Sequence, residues 1–223
     1  MICIEHVSKS FGPVRALRDF NLRIMPGERV AFVGSNGSGK TTLLRALLGL
    51  TRTEGLVTIG GRDVAAHPEL ALRHVAYVPQ IAPPLDAPVR DVITAYASLR
   101  GIAIGNIAYK ADVMGLALRK LDSVRFRDLS GGMKQKLLAA LALATPAMVL
   151  VCDEPTSNLD AEARRAFFEA LERRASGSIL ILCSHREEEV QAYVERVIEL
   201  REGEVVRDEL KSRGEPLRLQ VVR

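Results

Sequence analysis

Nine residues, GSNGSGKTT (Gly34–Thr42), follow the apolar run RVAFV and precede TTLLRALLGL, whose leucines recur at helical spacing. A strand, a glycine-rich turn and a helix in direct succession is the context in which G-x-x-x-x-G-K-[ST] reads as a phosphate loop. Glycines at Gly34, Gly37 and Gly39 let the backbone N–H groups of Ser35, Asn36 and Ser38 curl around phosphate oxygens. Lys40 supplies a compact positive charge to the β/γ oxygens, and the Thr41 hydroxyl, with Thr42 beside it, is suited to hold Mg²⁺. The segment demands a strand edge and a helix start, and so constrains the fold of everything around it.

The rest of the chain supplies that setting. ICIEHV, LRDFNLRI and RVAFVG read as short strands, with a turn at Pro26–Glu28. GLVTIGG (Gly55–Gly61) and HVAYVPQ (His74–Gln80) read as two more, before the proline-rich break IAPPLDAPV. From Val89 to Leu121 the pattern is helical on both sides of a glycine turn, and Gly131–Ala144 is a further helix. MVLVCD and SILILCS are unbroken apolar runs, as strands buried on both faces require. They alternate with an amphipathic helix, Asp160–Ala175, and a short one in REEEVQAYV, and VIELREGEVV closes as a hairpin around Glu202-Gly203. Buried strands alternating with helices predict an α/β fold in which crossover helices wind a parallel sheet.

Two acids close the run MVLVCDE. Asp153, at the strand's C-terminal edge, is the expected Mg²⁺ partner of such a phosphate loop. Neighbours on a strand point oppositely, so Glu154 is expected to serve differently, as the base that takes a proton from an attacking water. Pro155 imposes a sharp exit, which argues against two solvated acids. His185, after the next buried strand, reaches the same sheet edge and is read as a donor to the γ-phosphate or a holder of the water. Gln80, ending YVPQ, offers a neutral amide to Mg²⁺ or the water. His6, His67 and His74 are read as structural.

LSGGMKQ (Leu129–Gln135) is a second helix start built to bind an anion, with Ser130 as cap and Gly131 and Gly132 exposing N–H groups. One phosphate loop already serves one nucleotide. A second site is useful if it faces the γ-phosphate held by another copy, which predicts a head-to-tail dimer with composite sites.

Composition excludes several classes. The net charge of +4 comes without a Lys/Arg run or an aromatic-interleaved basic patch, so nucleic acid is not an expected partner. Three dispersed cysteines, with no CxxC, suggest neither a disulfide framework nor a zinc site. Cys152 and Cys183 sit in apolar runs and read as small buried hydrophobes. The N-terminus lacks a signal-peptide pattern, and the longest apolar run, LLAALALATPAMVLV, is broken by Pro146. The chain is therefore not expected to cross a membrane itself.

Taken together, Phe11, GSNGSGKTT, Gln80, LSGGMKQ, VLVCDEP, SNLD and SH stand in the order that resembles the nucleotide-binding domain of ATP-binding-cassette (ABC) ATPases. The resemblance runs from Ile2 to about Val206 and its most specific part is LSGG ahead of DEP. It implies a P-loop NTPase fold with a RecA-like parallel core, an antiparallel β subdomain and an inserted α-helical subdomain at about residues 88–130, in one domain spanning 1–223. It further implies ATP and Mg²⁺ as ligands, Phe11 as the adenine-stacking ring, and SNLD with Asp160 as a loop communicating across the dimer. The chain differs from common family usage at Leu141, Cys152 and Phe11, none of them hydrolytic.

That resemblance implies the ATPase subunit of a transporter, peripheral on the cytoplasmic face of the cell membrane. Its partners would be separate transmembrane permease subunits and a second copy or related ATPase. The signature form and the tail from Asp208 resemble export-type systems for drugs, polysaccharides or lipids, and the copper-site-assembly transporters that mature nitrous oxide reductase. The other class is a soluble assembly ATPase of the iron–sulfur type. No coiled-coil insertion or second cassette is present to suit chromosome-maintenance or translation members, and Glu154 and His185 speak against a non-hydrolysing module.

Overall fold

In a computed structural model, the structure describes residues 1–173 and 177–210, which form two compact units. The first contains residues 1–75, 147–153 and 177–210, and the second residues 76–146 and 154–173.

The first unit opens with a long antiparallel hairpin, β1 (Ile2–Phe11) and β2 (Val14–Ile24). Then come β3 (Arg29–Val33), the glycine-rich loop and α1 (Lys40–Leu47), followed by β4 (Glu54–Ile59), β5 (Arg62–Asp63) and the single turn α2 (Pro68–Ala71). The second unit begins within β6 (Val75–Val78) and continues through α3 (Val89–Arg100), α4 (Ile104–Val113) and α5 (Gly131–Ala144). The chain returns to the first unit as β7 (Val149–Asp153), crosses to the second for α6 (Ala161–Glu172), and returns again as β8 (Ile179–Cys183). It then adds α7 (Glu187–Tyr193), β9 (Arg196–Arg201) and β10 (Glu204–Leu210).

Within the first unit β1, β2, β4 and β5 make one antiparallel sheet in the order β2-β1-β4-β5. A second sheet runs β10-β9-β3-β8-β7, parallel except for the edge strand β10. Every residue of β7 and β8 is buried, as is β3 after its first residue. Their unbroken apolar sequences match a sheet covered on both faces, where no polar-out alternation is needed. Cys3, Cys152 and Cys183 are buried and form no disulfide.

In the second unit the apolar residues of α3 that are buried, Val89, Ile93 and Ala97, recur every four residues on one face. The last two turns of α5, from Leu137 to Leu143, are buried all round, consistent with a core helix end that is apolar on every side. Helical periodicity continues in sequence to Leu121, but helix ends at Val113 because Gly115 turns the chain with φ 72°. Only one 3₁₀ turn, Leu118–Lys120, follows in that stretch. The proline-rich break is pinned by Asp86, whose two carboxylate oxygens accept from Arg125 at 2.6 Å and Arg127 at 2.7 Å. The α6 helix ends at Glu172 with Arg173 as its C-cap; the last residues of the expected span, 174 and 175, lie outside the described residues, as does the tail beyond Leu210. No helix among the described residues is long and apolar enough to cross a membrane.

Candidate functional site

The phosphate loop leaves the C-terminal end of β3 and enters α1 through Gly39, whose φ of 109° caps the helix in the left-handed region. Gly34 can be only glycine: a Cβ there would stand 2.3 Å from the Leu200 carbonyl oxygen and 2.7 Å from Ser38 Oγ. Gly37 meets no atom within 4 Å of its ideal Cβ position, so the loop is open at that point to an approaching ligand. Lys40, the first helical residue, is drawn back over the loop. Its Nζ donates to the Gly34 and Ser35 carbonyls at 2.7 and 3.0 Å, and to Ser38 Oγ at 3.4 Å. The first turn of α1 holds no acidic residue, so its N-terminal partial charge stays available to an anion. Ser38 is buried beneath the loop, whereas Ser35, Asn36 and Thr41 are exposed and Thr42 half-buried.

Strand register aligns the next two candidates with this loop. Asp153 pairs with Cys183, and Cys183 pairs with Phe32. The three form one row across β7, β8 and β3, two residues before Gly34 in one strand and two before His185 in another. The phosphate loop, Asp153 and His185 therefore leave the same edge of one parallel sheet. Asp153 is 5% exposed, a buried carboxylate at that edge. His185 is exposed on a turn that Ser184 locks: its hydroxyl donates to buried Glu189 at 2.7 Å and accepts from the Arg186 N–H at 3.1 Å. Phe11 lies apart from this edge, at the end of β1 in the antiparallel sheet. Its ring is half exposed and Lys9 Nζ lies 5.0 Å from its centroid. A partly exposed aromatic face suits stacking by a flat base.

The second unit holds the remaining candidates. Glu154 is not a strand residue: its φ is 47°, so a backbone reversal aims its side chain, where strand alternation was the expectation. Gln80 is exposed on the bend that follows β6. Ser130 caps α5, its Oγ accepting from the Met133 N–H at 3.2 Å, with Gly131 and Gly132 in a first turn that carries no acid. Segment 155–160 runs along one face of this helix. A Cβ on Gly132 would lie 2.9 Å from the Asn158 carbonyl oxygen, and Lys136 pairs with Asp160 at 2.8 Å. Asp160 also caps α6 by accepting from Ala163 N–H at 2.8 Å. That N–H, and then Lys136, hold its carboxyl below the usual carboxylate range.

In the first unit, the Thr41 hydroxyl and the Asp153 carboxylate are hard oxygen donors of the kind Mg²⁺ prefers, and the open glycine loop beside Lys40 suits a polyphosphate; the Gln80 amide, in the second unit, is a hard donor of the same kind. The left-handed backbone at Glu154 and the buried Gln135 and Glu189 were missed in the sequence. Gln135 stands between Lys134 and Lys136, so nothing in the local sequence marked it as buried.

A parallel sheet carrying strand, phosphate loop and helix, with antiparallel strands beside it, defines a P-loop NTPase fold. A profile of the ABC transporter family matches residues 17–157, and the chain belongs to that family. It is 35% identical over 225 residues to the Fe(3+) ions import ATP-binding protein FbpC of Agrobacterium fabrum, covering 92% of this chain and 59% of that protein. It is 33% identical over 209 residues to the Nod factor export ATP-binding protein I of Rhizobium etli, covering 91% and 66%. The chain thus spans less than two thirds of either relative's length. Among solved structures, it superposes on the ATP-binding cassette MJ0796, dimeric in a post-hydrolysis state bound to ADP and Pi. The TM-score is 0.81 at 25% identity, covering 94% of this chain and 98% of that one.

Proposed function

We propose that this chain is the ATP-binding and ATP-hydrolysing subunit of an ABC transporter, a single cassette over residues 1–223 with its helical subdomain at about 88–130. It acts on separate transmembrane subunits from the cytoplasmic face of the membrane, and ATP closes two cassettes head to tail. The observation that carries the reading is the row Phe32–Cys183–Asp153, which delivers a phosphate loop, a buried carboxylate and a histidine to one sheet edge.

In this reading the ring of Phe11 stacks on adenine. The N–H groups from Ser35 to Thr42 and the Lys40 ammonium hold the phosphates. Thr41, Asp153 and Gln80 would hold Mg²⁺, which would supply positive charge against that of the phosphates. Glu154 takes the proton of the attacking water, and His185 hydrogen-bonds the γ-phosphate as charge moves onto it. Ser130, Gly131 and Gly132 of a second copy close the site with a helix N-terminus, and Asp160 lies on the loop that follows Glu154. Hydrolysis removes the phosphate that the two copies share, so closure is reversed and the stroke passes to the membrane subunits. An iron importer and a Nod factor exporter both resemble the cassette, so the substrate and the direction are properties of the membrane subunits.

Replacing Glu154 by Gln removes the base and leaves the phosphate contacts. The variant is expected to lose about 10²- to 10⁴-fold in turnover and to elute as a dimer with saturating Mg-ATP. A variant that stays monomeric under those conditions, or that hydrolyses ATP at the parent's rate, refutes the reading.

A further inference from the structure

One buried side chain joins two of the proposed catalytic segments. Gln135, on the second turn of α5, is 2% exposed, and every other buried residue of that helix is apolar. Its amide nitrogen donates to the Pro155 carbonyl at 3.0 Å and to the Pro79 carbonyl at 3.4 Å. Pro155 directly follows Glu154, and Pro79 directly precedes Gln80. Residues 79 and 155 are far apart in the chain, and each contributes a backbone carbonyl as acceptor. Both N–H bonds of one amide are used, one on each segment.

Gln135 does not act alone. Gly132, Gln135 and Lys136 are spaced i, i+3, i+4 and share one face of α5. Gly132 admits the Asn158 carbonyl at close range, Gln135 binds the Pro155 carbonyl, and Lys136 binds the Asp160 carboxylate at 2.8 Å. The three contacts hold segment 155–160 against the helix along its length. The left-handed turn at Glu154, with φ 47°, sits at one end of that held segment.

We infer that Gln135 is a positioning residue for hydrolysis: it holds the backbone beside Glu154 and the backbone beside Gln80 at a common distance from α5. The inference rests on the proposed function, and it extends that function in one respect. The N-terminal end of α5 is the end offered to the nucleotide of the second copy, so a displacement of this helix on engaging that nucleotide is passed through Gln135 to the chain's own Glu154 and Gln80. Each copy's water-activating residues are thereby set by whether the copy has closed the other's site.

The test compares the full parent chain with Gln135→Leu and Gln135→Glu. Leucine fills similar volume with no donor, and glutamate presents further acceptors to two carbonyl oxygens. Turnover, affinity for ATP without magnesium, and thermal midpoint are measured for each. The expected result is a fall in kcat of about tenfold to a hundredfold for leucine and more for glutamate, with ATP affinity within about twofold of the parent. A leucine variant with the parent's kcat overturns the inference, because volume alone then suffices. So does a parallel loss of ATP affinity and thermal midpoint with kcat, which marks a role in folding only. An inactive parent overturns the proposed function and this inference with it, a result distinct from an active parent with an equally active leucine variant.

Discussion

Asp160 engages two groups with one carboxylate, the Ala163 N–H that begins α6 and the Lys136 ammonium on α5. Both favour the charged form, so its folded-state pKa lies below the ordinary value of 3.8. A carboxyl depressed on folding contributes stability that is present above the unfolded pKa and lost as pH falls through the folded one. Asn in its place keeps an oxygen for the cap but not the charge. Asp160→Asn is therefore expected to melt below the parent at neutral pH, with the difference closing once the parent's carboxyl is protonated, below 3.8. Thermal midpoints across the acid range measure this, and a difference that stays constant with pH would sink the account. Glu154 shows what a residue's identity leaves open. Its position after Asp153 marked it as a candidate base. Its φ of 47°, in a region that non-glycine residues seldom occupy and that stores about 1–3 kcal/mol, was not legible, because nothing in a Glu side chain prefers it.

Among the elements, α5 was the most legible, since Ser130, two glycines and a run of helix formers announce both its start and its length. Its two glycines nevertheless differ. Alanine at Gly131 would meet only Asn158 side-chain atoms at 3.9 Å or more, whereas at Gly132 its Cβ would lie 2.9 Å from a backbone carbonyl. Replacing glycine in a helix by alanine stabilises by up to about 1 kcal/mol where space allows. Gly131→Ala is thus expected to be neutral or stabilising, and Gly132→Ala destabilising because the 155–160 segment must shift. Urea unfolding of the two variants decides it: a Gly132→Ala chain as stable as Gly131→Ala would mean that the helix and segment are not closely seated. The stretch after α4 was less legible. Its apolar spacing remains helical through Leu121, but the left-handed glycine at Gly115 ends regular helix, and periodicity reports a face without reporting a stop.

For the molecule as a whole, the decisive property is which partner it binds. Purified from its own host in mild detergent with ATP, the Glu154→Gln chain is expected to bring with it a multi-span membrane protein in stoichiometric amount. Mass spectrometry of the eluate identifies it. Recovery of a soluble assembly protein, with no membrane partner, would replace the transporter reading by an ATPase that powers assembly. Family membership reaches the same scale from another side: the matched profile covers residues 17–157, and His185 lies beyond it.

The sequence by itself determined the phosphate loop, the capped start of α5, the buried strands and the alternation of strand with helix. Each of these is written within a dozen or so consecutive residues, as a motif or a period, and local sterics and burial suffice to read it. Only the tertiary structure decided which distant residues become neighbours. The row of Phe32, Cys183 and Asp153 depends on inter-strand register between segments well separated in the chain. The bonds from Gln135 to Pro155 and Pro79 depend on how two loops settle against one helix face. Register and seating are properties of packing between elements, where each pairing competes with many others of similar local quality, and a single chain read along its length carries no record of which one wins.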